Sequence, residues 1–152
     1  MEILLPSGQK CLIDKSDFEK ISMHRWYLQH THKYVITCIN GKQIPMHRFL
    51  MNAEKGQMID HVNRNKLDNR RSNLRFCDKS TNGMNRVATK NNKSGYKNIY
   101  ISKYGFAVQI WQRGRCVFSK LCKTIDNAIN IRDEALNLFH KDFACHENII
   151  HR

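Results

Sequence analysis

The chain has 152 residues and combines 26 Lys and Arg with 13 Asp and Glu, which gives a formal charge of +13 at pH 7. This balance excludes an acidic metabolic enzyme and a disordered acidic tail, and the 41 % of hydrophobic residues is enough for packed cores. No stretch approaches the roughly 18 apolar residues of a membrane helix, and the N-terminus lacks the pattern of a signal peptide. We therefore expect a folded, cytoplasmic protein with no membrane partner.

The positive charge is concentrated in the middle of the chain. Residues 61–97 contain ten Lys or Arg and only two acidic residues, whereas the flanking segments are nearly balanced. We interpret this block, which is also rich in Asn, as a surface that meets phosphate groups. The alternative is a basic face that serves only solubility. The six cysteines contain no Cys-x-x-Cys pair, which argues against a cysteine zinc site.

The first 45 residues have the pattern of β-hairpins. Short apolar runs over 2–5 and 9–13 flank a Pro-Ser-Gly turn. Two further strand-like runs, 26–29 and 34–39, are followed by an Asn-Gly pair, which is a strong hairpin signal. A helix is predicted to begin at Pro45, because the apolar residues that follow it have helical spacing.

The residues suited to metal binding and proton transfer lie between Ile59 and Arg86. Asp60 and His61 stand side by side at a predicted strand end, followed by a polar loop, a second strand and a helix that offers oxygen ligands. Phosphodiester hydrolysis needs such parts. A hard divalent ion bound by oxygen atoms neutralises charge on the scissile phosphate, and a neutral imidazole removes a proton from the attacking water.

These residues resemble the ββα-metal core of HNH nucleases, in the Asn-containing variant of phage and intron-encoded homing endonucleases. The resemblance extends from about Met46 to Arg86 and rests on Asp-His, then Leu-Asp-Asn-Arg-Arg-Ser-Asn-Leu-Arg, then Asn. It implies that Asp60 is a metal ligand and that His61 is the general base. It also implies that Asn73 joins the two strands and the loop by hydrogen bonds.

The same resemblance assigns a second metal ligand to the helix. Asn82 would take this position, where other members have a histidine, and Asn85 is the alternative ligand. One carboxylate and one amide supply little charge, so we expect Mg²⁺ or Mn²⁺ completed by water and DNA phosphate rather than Zn²⁺. His47 is expected to pack or hydrogen-bond near the site. Three arginines are expected to contact phosphates: Arg70, Arg71 and Arg75.

Beyond a polar stretch at 89–95 the pattern changes to three strands and one helix. The predicted strands cover 98–102, 105–112 and 115–121, and Thr124 is the predicted N-cap of the helix. The apolar stripe of that helix is formed by Ala128, Ile131, Ala135 and Leu138.

About fifty residues of this region are similar to the DNA-binding domain of plant ethylene-response factors. The similarity rests on Ser-Gly-Tyr-Lys-Asn-Ile at 94–99, Gly-Phe-Ala-Val-Gln-Ile at 105–110, Lys-Thr-Ile-Asp-Asn-Ala at 123–128 and Leu-Phe-His-Lys-Asp-Phe-Ala at 138–144. It departs from the plant pattern before the helix, where Cys122 replaces a glycine. The resemblance implies that one face of the sheet lies in the major groove of double-stranded DNA.

Strand alternation assigns the two faces of this sheet independently of the family. The residues predicted to face the helix are Ile99, Ile101, Phe106, Val108, Ile110, Val117, Ser119 and Leu121. The predicted DNA contacts on the outward face and its edges are Tyr100, Lys103, Gln109, Trp111, Arg113, Arg115 and Lys120. The alternative is that the N-terminal hairpins cover the outward face.

The sequence thus predicts an α+β protein with N-terminal β-hairpins, a ββα-metal core and a C-terminal three-stranded antiparallel sheet packed on one helix. The predicted regions are a hairpin region at 1–45, an HNH core at 46–88, a linker at 89–95, an ethylene-response-factor-like domain at 96–145 and a tail at 146–152.

The expected function is metal-dependent, site-specific DNA cleavage of the HNH homing type, which leaves 5′-phosphate and 3′-hydroxyl ends. If the gene is carried by a phage, the protein acts in a bacterial cytoplasm. The alternatives are a catalytically inactive DNA-binding protein derived from a homing endonuclease and a non-specific nuclease. A nickase needs one active site and a double-strand cutter needs two, so cleavage mode and oligomeric state are linked and both stay open.

Overall fold

A computed structural model of the protein describes residues 1–89 and 91–146, and the chain divides into two compact units, Met1–Asp78 and Lys79–Arg152. The mixed helix and strand content and the several small sheets confirm the predicted α+β class. The division at Asp78 and Lys79 differs from the linker predicted at 89–95, and the predicted domain limits stay predictions. In the predicted tail, residues 147–152 lie outside the described ranges. Among the described residues, no helix is long and apolar enough to cross a membrane.

The strands of the first unit, in which every residue is described, form three small antiparallel sheets. The sheets are β1 (Glu2–Leu4) with β2 (Lys10–Leu12), β3 (Tyr27–Leu28) with β4 (Val35–Ile39) and β5 (Lys42–Pro45), and β6 (Met58–His61) with β7 (Leu74–Cys77). The α-helices are α1 (Phe18–Ser22) and α2 (Met46–Leu50), and 3-10 turns cover Lys15–Asp17 and Arg71–Asn73. The predicted Asn-Gly turn joins β4 to β5, with Asn40 and Gly41 at φ angles of 49° and 75° as a type I′ turn requires.

The N-terminal hairpin is part of the scaffold of the loop between β6 and β7. The backbone N–H of Leu12 donates to the carbonyl of Leu67 at 2.7 Å, and the N–H of Asn69 donates to the carbonyl of Leu12 at 2.8 Å. A shared core stabilises this arrangement because it buries apolar side chains from β2, β4 and α2 together. Its buried members are Leu5, Cys11, Ile13, Ile21, Trp26, Val35, Met46 and Leu50.

The second unit begins with α3 (Lys79–Met84), followed by an antiparallel sheet in the order β10-β9-β8. The sheet consists of β8 (Ile99–Ser102), β9 (Gly105–Gln112) and β10 (Arg115–Cys122); α4 (Ile125–Phe139) packs on it and a 3-10 turn at Lys141–Phe143 follows. Thr124 caps α4, since its side-chain oxygen accepts a hydrogen bond from the N–H of Asn127 at 3.3 Å. A side chain at Gly105 would place its Cβ 2.2 Å from the carbonyl oxygen of Cys122, so only glycine fits there.

The prediction of which side of β10 faces the helix is wrong. The register shifts between Cys116 and Phe118, so that Phe118 opposes the buried Ile110 and Lys120 opposes the buried Val108. Opposed residues of antiparallel strands share a face, which places Phe118 and Lys120 on the helix side of the sheet. The residues predicted to face the helix are exposed instead: Val117, Ser119 and Leu121.

Two other apolar residues predicted to face inward lie in solvent. Ile101, near the end of β8, is 58 % exposed, and Leu138 on α4 is 67 % exposed. The buried stripe of α4 contains Ala128 and Ala135 as predicted, but it continues through Arg132 and Leu136. A stripe found by counting apolar residues misses a buried arginine, and that omission shifts the predicted face around the helix.

Candidate active site

The end of β6 carries the predicted metal ligand and the predicted general base. Asp60 and His61 are the last residues of this strand, and they pair with Arg75 and Leu74 of β7. His61 is buried, and the carboxylate of Asp60 is largely covered.

Asn73 fixes the geometry of this strand end. Its backbone carbonyl accepts a hydrogen bond from the N–H of Val62 at 2.8 Å, and its side-chain oxygen accepts one from the N–H of Asn63 at 2.9 Å. Its amide nitrogen donates to the carbonyl of Asp68 at 2.7 Å. One buried amide therefore ties the end of β6, the following loop and the start of β7 together, and the catalytic role of Asn73 stays a prediction.

His61 lies in a cluster of buried polar and aromatic groups. Its Nε2 is 3.4 Å from Oδ1 of Asn69, and its ring centroid lies 5.1 Å from that of His47 in an edge contact. The ring of Tyr34 stacks at 6.2 Å from His61. Burial lowers the pKa of His61, and the hydrogen bond with Asn69 and the charges of nearby carboxylates oppose that shift. A ring that stays neutral near pH 7 is able to accept a proton.

Asp60 forms an ion pair with an arginine of the neighbouring strand. Nη2 of Arg75 is 2.9 Å from Oδ2 of Asp60, and both side chains are mostly buried. The sequence predicted that Asp60 binds a metal ion and that Arg75 contacts phosphate. The structure brings these two side chains to each other, and both predicted roles stay predictions.

The other two arginines predicted to contact phosphate also bind carboxylates. Arg70 donates from Nε and Nη2 to the two oxygens of Asp68 at 2.8 and 2.7 Å. Arg71 donates in the same bidentate way to Asp17 at 2.9 and 2.7 Å, and its backbone N–H donates to Asp14 at 2.7 Å. Both guanidinium groups are about half exposed, so they hold the loop in place while one side remains open to solvent.

The predicted helix ligand belongs to the second compact unit. Asn82 lies on α3 and is partly exposed, whereas Asn85 follows the helix and is buried. Lys97 donates from Nζ to the carbonyls of Gly83 and Met84 at 3.0 and 2.5 Å, which holds the C-terminal end of α3. The roles of Asn82 and Asn85 as metal ligands stay predictions.

The predicted DNA contacts of the C-terminal sheet divide into three groups. Tyr100 and Trp111 are 46 % and 48 % exposed on the outward face, where Gln109 is partly exposed. Lys120 instead lines a small groove of about 200 Å³ between β10 and α4, together with Glu134. Lys103 and Arg113 are exposed in the turns that join the strands, and Arg115 is exposed at the start of β10.

Several residues around His61 were not singled out from the sequence. Asn69 lay inside the motif, but nothing in its spacing set it apart from the other asparagines of the loop. Tyr34 comes from β-hairpin sequence far from the motif, and Lys66 places its ammonium 4.4 Å from the Tyr34 ring centroid.

In the described ranges, 1–89 and 91–146, no group of three or more His, Cys, Asp or Glu side chains is placed to hold a metal ion.

Two comparisons with known proteins concern the sequence of this region. The model of the HNH endonuclease family matches residues 50–84, a segment that contains Asp60, His61, Asn73 and Asn82. An uncharacterized HNH endonuclease of Acanthamoeba polyphaga mimivirus is 32 % identical over 94 aligned positions, and the alignment covers 58 % of this chain and 49 % of that protein. The chain therefore spans about half the length of this curated relative. No solved structure matches the chain. Both similarities indicate a nuclease.

Proposed function

We propose that this protein is a metal-dependent, site-specific endonuclease of the HNH homing type that hydrolyses phosphodiester bonds in double-stranded DNA. The observation that carries the proposal is the buried His61, held beside Asp60 at the end of β6, inside the segment that matches the HNH endonuclease family. The products would carry 5′-phosphate and 3′-hydroxyl ends. The strongly basic charge of the chain, +13 at pH 7, favours a polyanionic substrate.

In this proposal His61 is the general base. Its imidazole takes a proton from a water molecule whose oxygen bonds to the phosphorus, and the bond from phosphorus to the 3′ oxygen breaks as that oxygen takes a proton from solvent. Asn73 keeps the strand end rigid, so that the imidazole needs no reorganisation before reaction. Burial favours the neutral form of the ring, which is the form able to act as a base.

Asp60 and Asn82 would hold the divalent ion, with Asn85 as the alternative to Asn82. A carboxylate and an amide offer only oxygen donors, which suits Mg²⁺ or Mn²⁺ better than Zn²⁺. When bound, such an ion neutralises charge on the scissile phosphate and stabilises the leaving oxygen.

The outward face of the C-terminal sheet is the surface that we propose recognises the sequence of the DNA site. Tyr100, Gln109 and Trp111 offer apolar area and hydrogen-bonding groups there, and cationic side chains at the turns would contact phosphates. The arginines of the β6–β7 loop would add phosphate contacts near the cleavage point.

A second candidate is a catalytically inactive DNA-binding protein. The observation that favours it is the ion pair between Arg75 and Asp60, since a guanidinium on the carboxylate competes with a metal ion for the same oxygen. The hydrogen bonds of Asn73 hold the loop that follows His61, and this order around the proposed base supports the nuclease.

The test is cleavage of supercoiled plasmid and of DNA from the native genomic neighbourhood of the gene, with Mg²⁺, with Mn²⁺ and with chelator. The nuclease cuts at discrete positions in the presence of metal. His61→Ala retains DNA binding but loses cleavage by roughly 10²–10⁴-fold. His30→Ala, which changes an exposed histidine of the same unit, is the matched control and keeps full activity.

The products also separate the candidates. Nicked circles indicate one active site for each cleavage event, and linear product indicates two. Binding of the native DNA without cleavage under any metal would establish the inactive DNA-binding protein. Full activity in His61→Ala would overturn the assignment of the base.

A further inference from the structure

We propose that Asn69 is a positioning residue that fixes the tautomer and the aim of the His61 imidazole. Its side-chain oxygen would accept a hydrogen bond from Nε2 of His61, so that Nδ1 carries the lone pair that takes the proton. This inference rests on the proposed function, in which His61 is the general base.

The contact is enclosed by the protein. Nε2 of His61 and Oδ1 of Asn69 are 3.4 Å apart, and the two residues are 5 % and 1 % exposed. A neutral imidazole carries a proton on one ring nitrogen and a lone pair on the other. The hydrogen bond that one nitrogen makes determines which of the two carries the proton. An acceptor next to Nε2 therefore favours the tautomer with its proton on Nε2.

The orientation of the Asn69 amide follows from its other partners. Its nitrogen donates to the backbone carbonyl of Lys66 at 3.2 Å and to the sulfur of Cys11 at 3.4 Å. A flipped amide would place oxygen against that carbonyl and lose both donations. The oxygen of the amide therefore faces His61.

The backbone of Asn69 is held by the N-terminal hairpin. Its N–H donates to the carbonyl of Leu12 at 2.8 Å, and Leu12 forms an isolated parallel bridge with Asp68. Asp68 is itself fixed by the bidentate hydrogen bonds of Arg70. The N-terminal segment thus supports the site through the backbone of Asn69.

Removal of the acceptor has a defined chemical consequence. In Asn69→Ala the Nε2–H loses its buried partner, both neutral tautomers become populated, and the ring is no longer held in one orientation. Loss of the hydrogen-bond partner of a metal-bound histidine costs roughly 10–100-fold, and we expect a loss of that order for this proposed base. Asn69→Asp keeps an acceptor oxygen toward His61, but its second oxygen meets the Lys66 carbonyl in place of the amide N–H, so this variant restores only part of the rate.

The direct readout is ¹⁵N NMR of the full-length protein labelled at histidine, at about pH 8, where imidazoles are mainly neutral. We expect the Nε2–H tautomer for His61 in the wild type and in Asn69→Asp, and a mixture in Asn69→Ala. Single-turnover cleavage falls in Asn69→Ala with DNA affinity unchanged. Asn65→Ala is the matched control, because this exposed amide bonds the backbone of the same loop but not His61.

An Nδ1–H tautomer in the wild type, or the same tautomer in wild type and Asn69→Ala, overturns the proposal. Should Asn69→Ala fail to fold, the wild type and Asn69→Asp still decide the tautomer. Wild-type protein that never cuts DNA defeats the proposed function, whereas the contact between Asn69 and His61 is decided by NMR alone. The two failures are therefore distinguishable.

Discussion

Arg75 and Asp60 face each other across β6 and β7, and the guanidinium donates from both Nη2 and Nε to one carboxylate oxygen, at 2.9 and 3.3 Å. Under the proposed function these groups have separate partners, a phosphate for the arginine and a metal ion for the carboxylate. The ion pair therefore competes with both. A phosphate that draws Arg75 away would leave the carboxylate available to a cation.

Arg75→Met is expected to lower the Mg²⁺ concentration for half-maximal cleavage several-fold, because the competing cation is removed from Asp60. The measurement is the initial cleavage rate as a function of Mg²⁺ at fixed ionic strength. Lys55→Met removes one positive charge from an exposed site of the same unit and serves as the control. Superimposable metal curves for Arg75→Met and wild type would show that the ion pair does not limit metal binding.

Trp111→Ala and Lys120→Ala are expected to differ in DNA binding, although the sequence grouped both residues on one face. Trp111 is exposed on the outward face, and its loss should weaken specific binding by about 1–3 kcal/mol. Lys120 lies on the helix side, so its replacement should change affinity less than about threefold, in the range of a distant screened charge. Titration of the native DNA site with each variant measures both values. Equal losses would contradict the face assignment.

Arg71→Met is expected to lower the free energy of unfolding by about 1–3 kcal/mol, since it leaves the buried carboxylate of Asp17 without its bidentate partner. Urea denaturation followed by tryptophan fluorescence gives the value. Arg115→Met, at an exposed position of β10, should stay within about 0.5 kcal/mol of the wild type. A stable Arg71→Met protein would mean that this ion pair does not hold the loop.

Stability is expected to decrease as pH falls from about 7 to 5. Burial, with the nearby charges of His61, Arg48 and Lys66, lowers the pKa of His47 from 6.5 to about 3. Below about pH 6.5 the unfolded chain therefore binds a proton at His47 that the folded chain does not bind. The stability present above that pH is lost progressively as the pH falls. At pH 5 the loss from this residue is about 2 kcal/mol.

Urea denaturation at several pH values measures this loss, and His47→Phe is the matched variant because it keeps a ring in the same position. The decrease between pH 7 and 5 should be smaller by about 2 kcal/mol in His47→Phe. An unchanged pH dependence would show that other groups cause it. His61 and His140 have lowered pKa values as well, because both are buried, so part of the decrease remains in the variant.

The sequence was informative where a local pattern is decisive. The Asn-Gly turn, the cap at Thr124 and the strands of the C-terminal sheet depend on a few neighbouring residues, and the structure has them within about one or two residues of the predicted positions. The adjacent Asp60 and His61 at a strand end were likewise visible in the motif.

The wrong predictions concern features that depend on contacts between residues far apart in the chain. One bulge in β10 reverses the side on which Lys120 lies, and bulges leave little trace in sequence. Arg132 is buried on α4, and a search for apolar residues alone leaves a buried arginine out. The packing of Tyr34 and the anchoring of Asn69 by Leu12 join segments far apart in the chain, so no local pattern could reveal them.

The anchoring of α3 has a consequence for the exchange of modules between related genes. Lys97 holds the end of this helix, and the hydroxyl of Ser80 accepts a hydrogen bond from the backbone of Arg113 at 3.0 Å. A recombination point in the polar stretch 89–95 would separate the helix from both of these partners. A joint at Asp78 and Lys79 would keep them together, so a C-terminal unit exchanged with all its internal contacts includes the helix that carries Asn82.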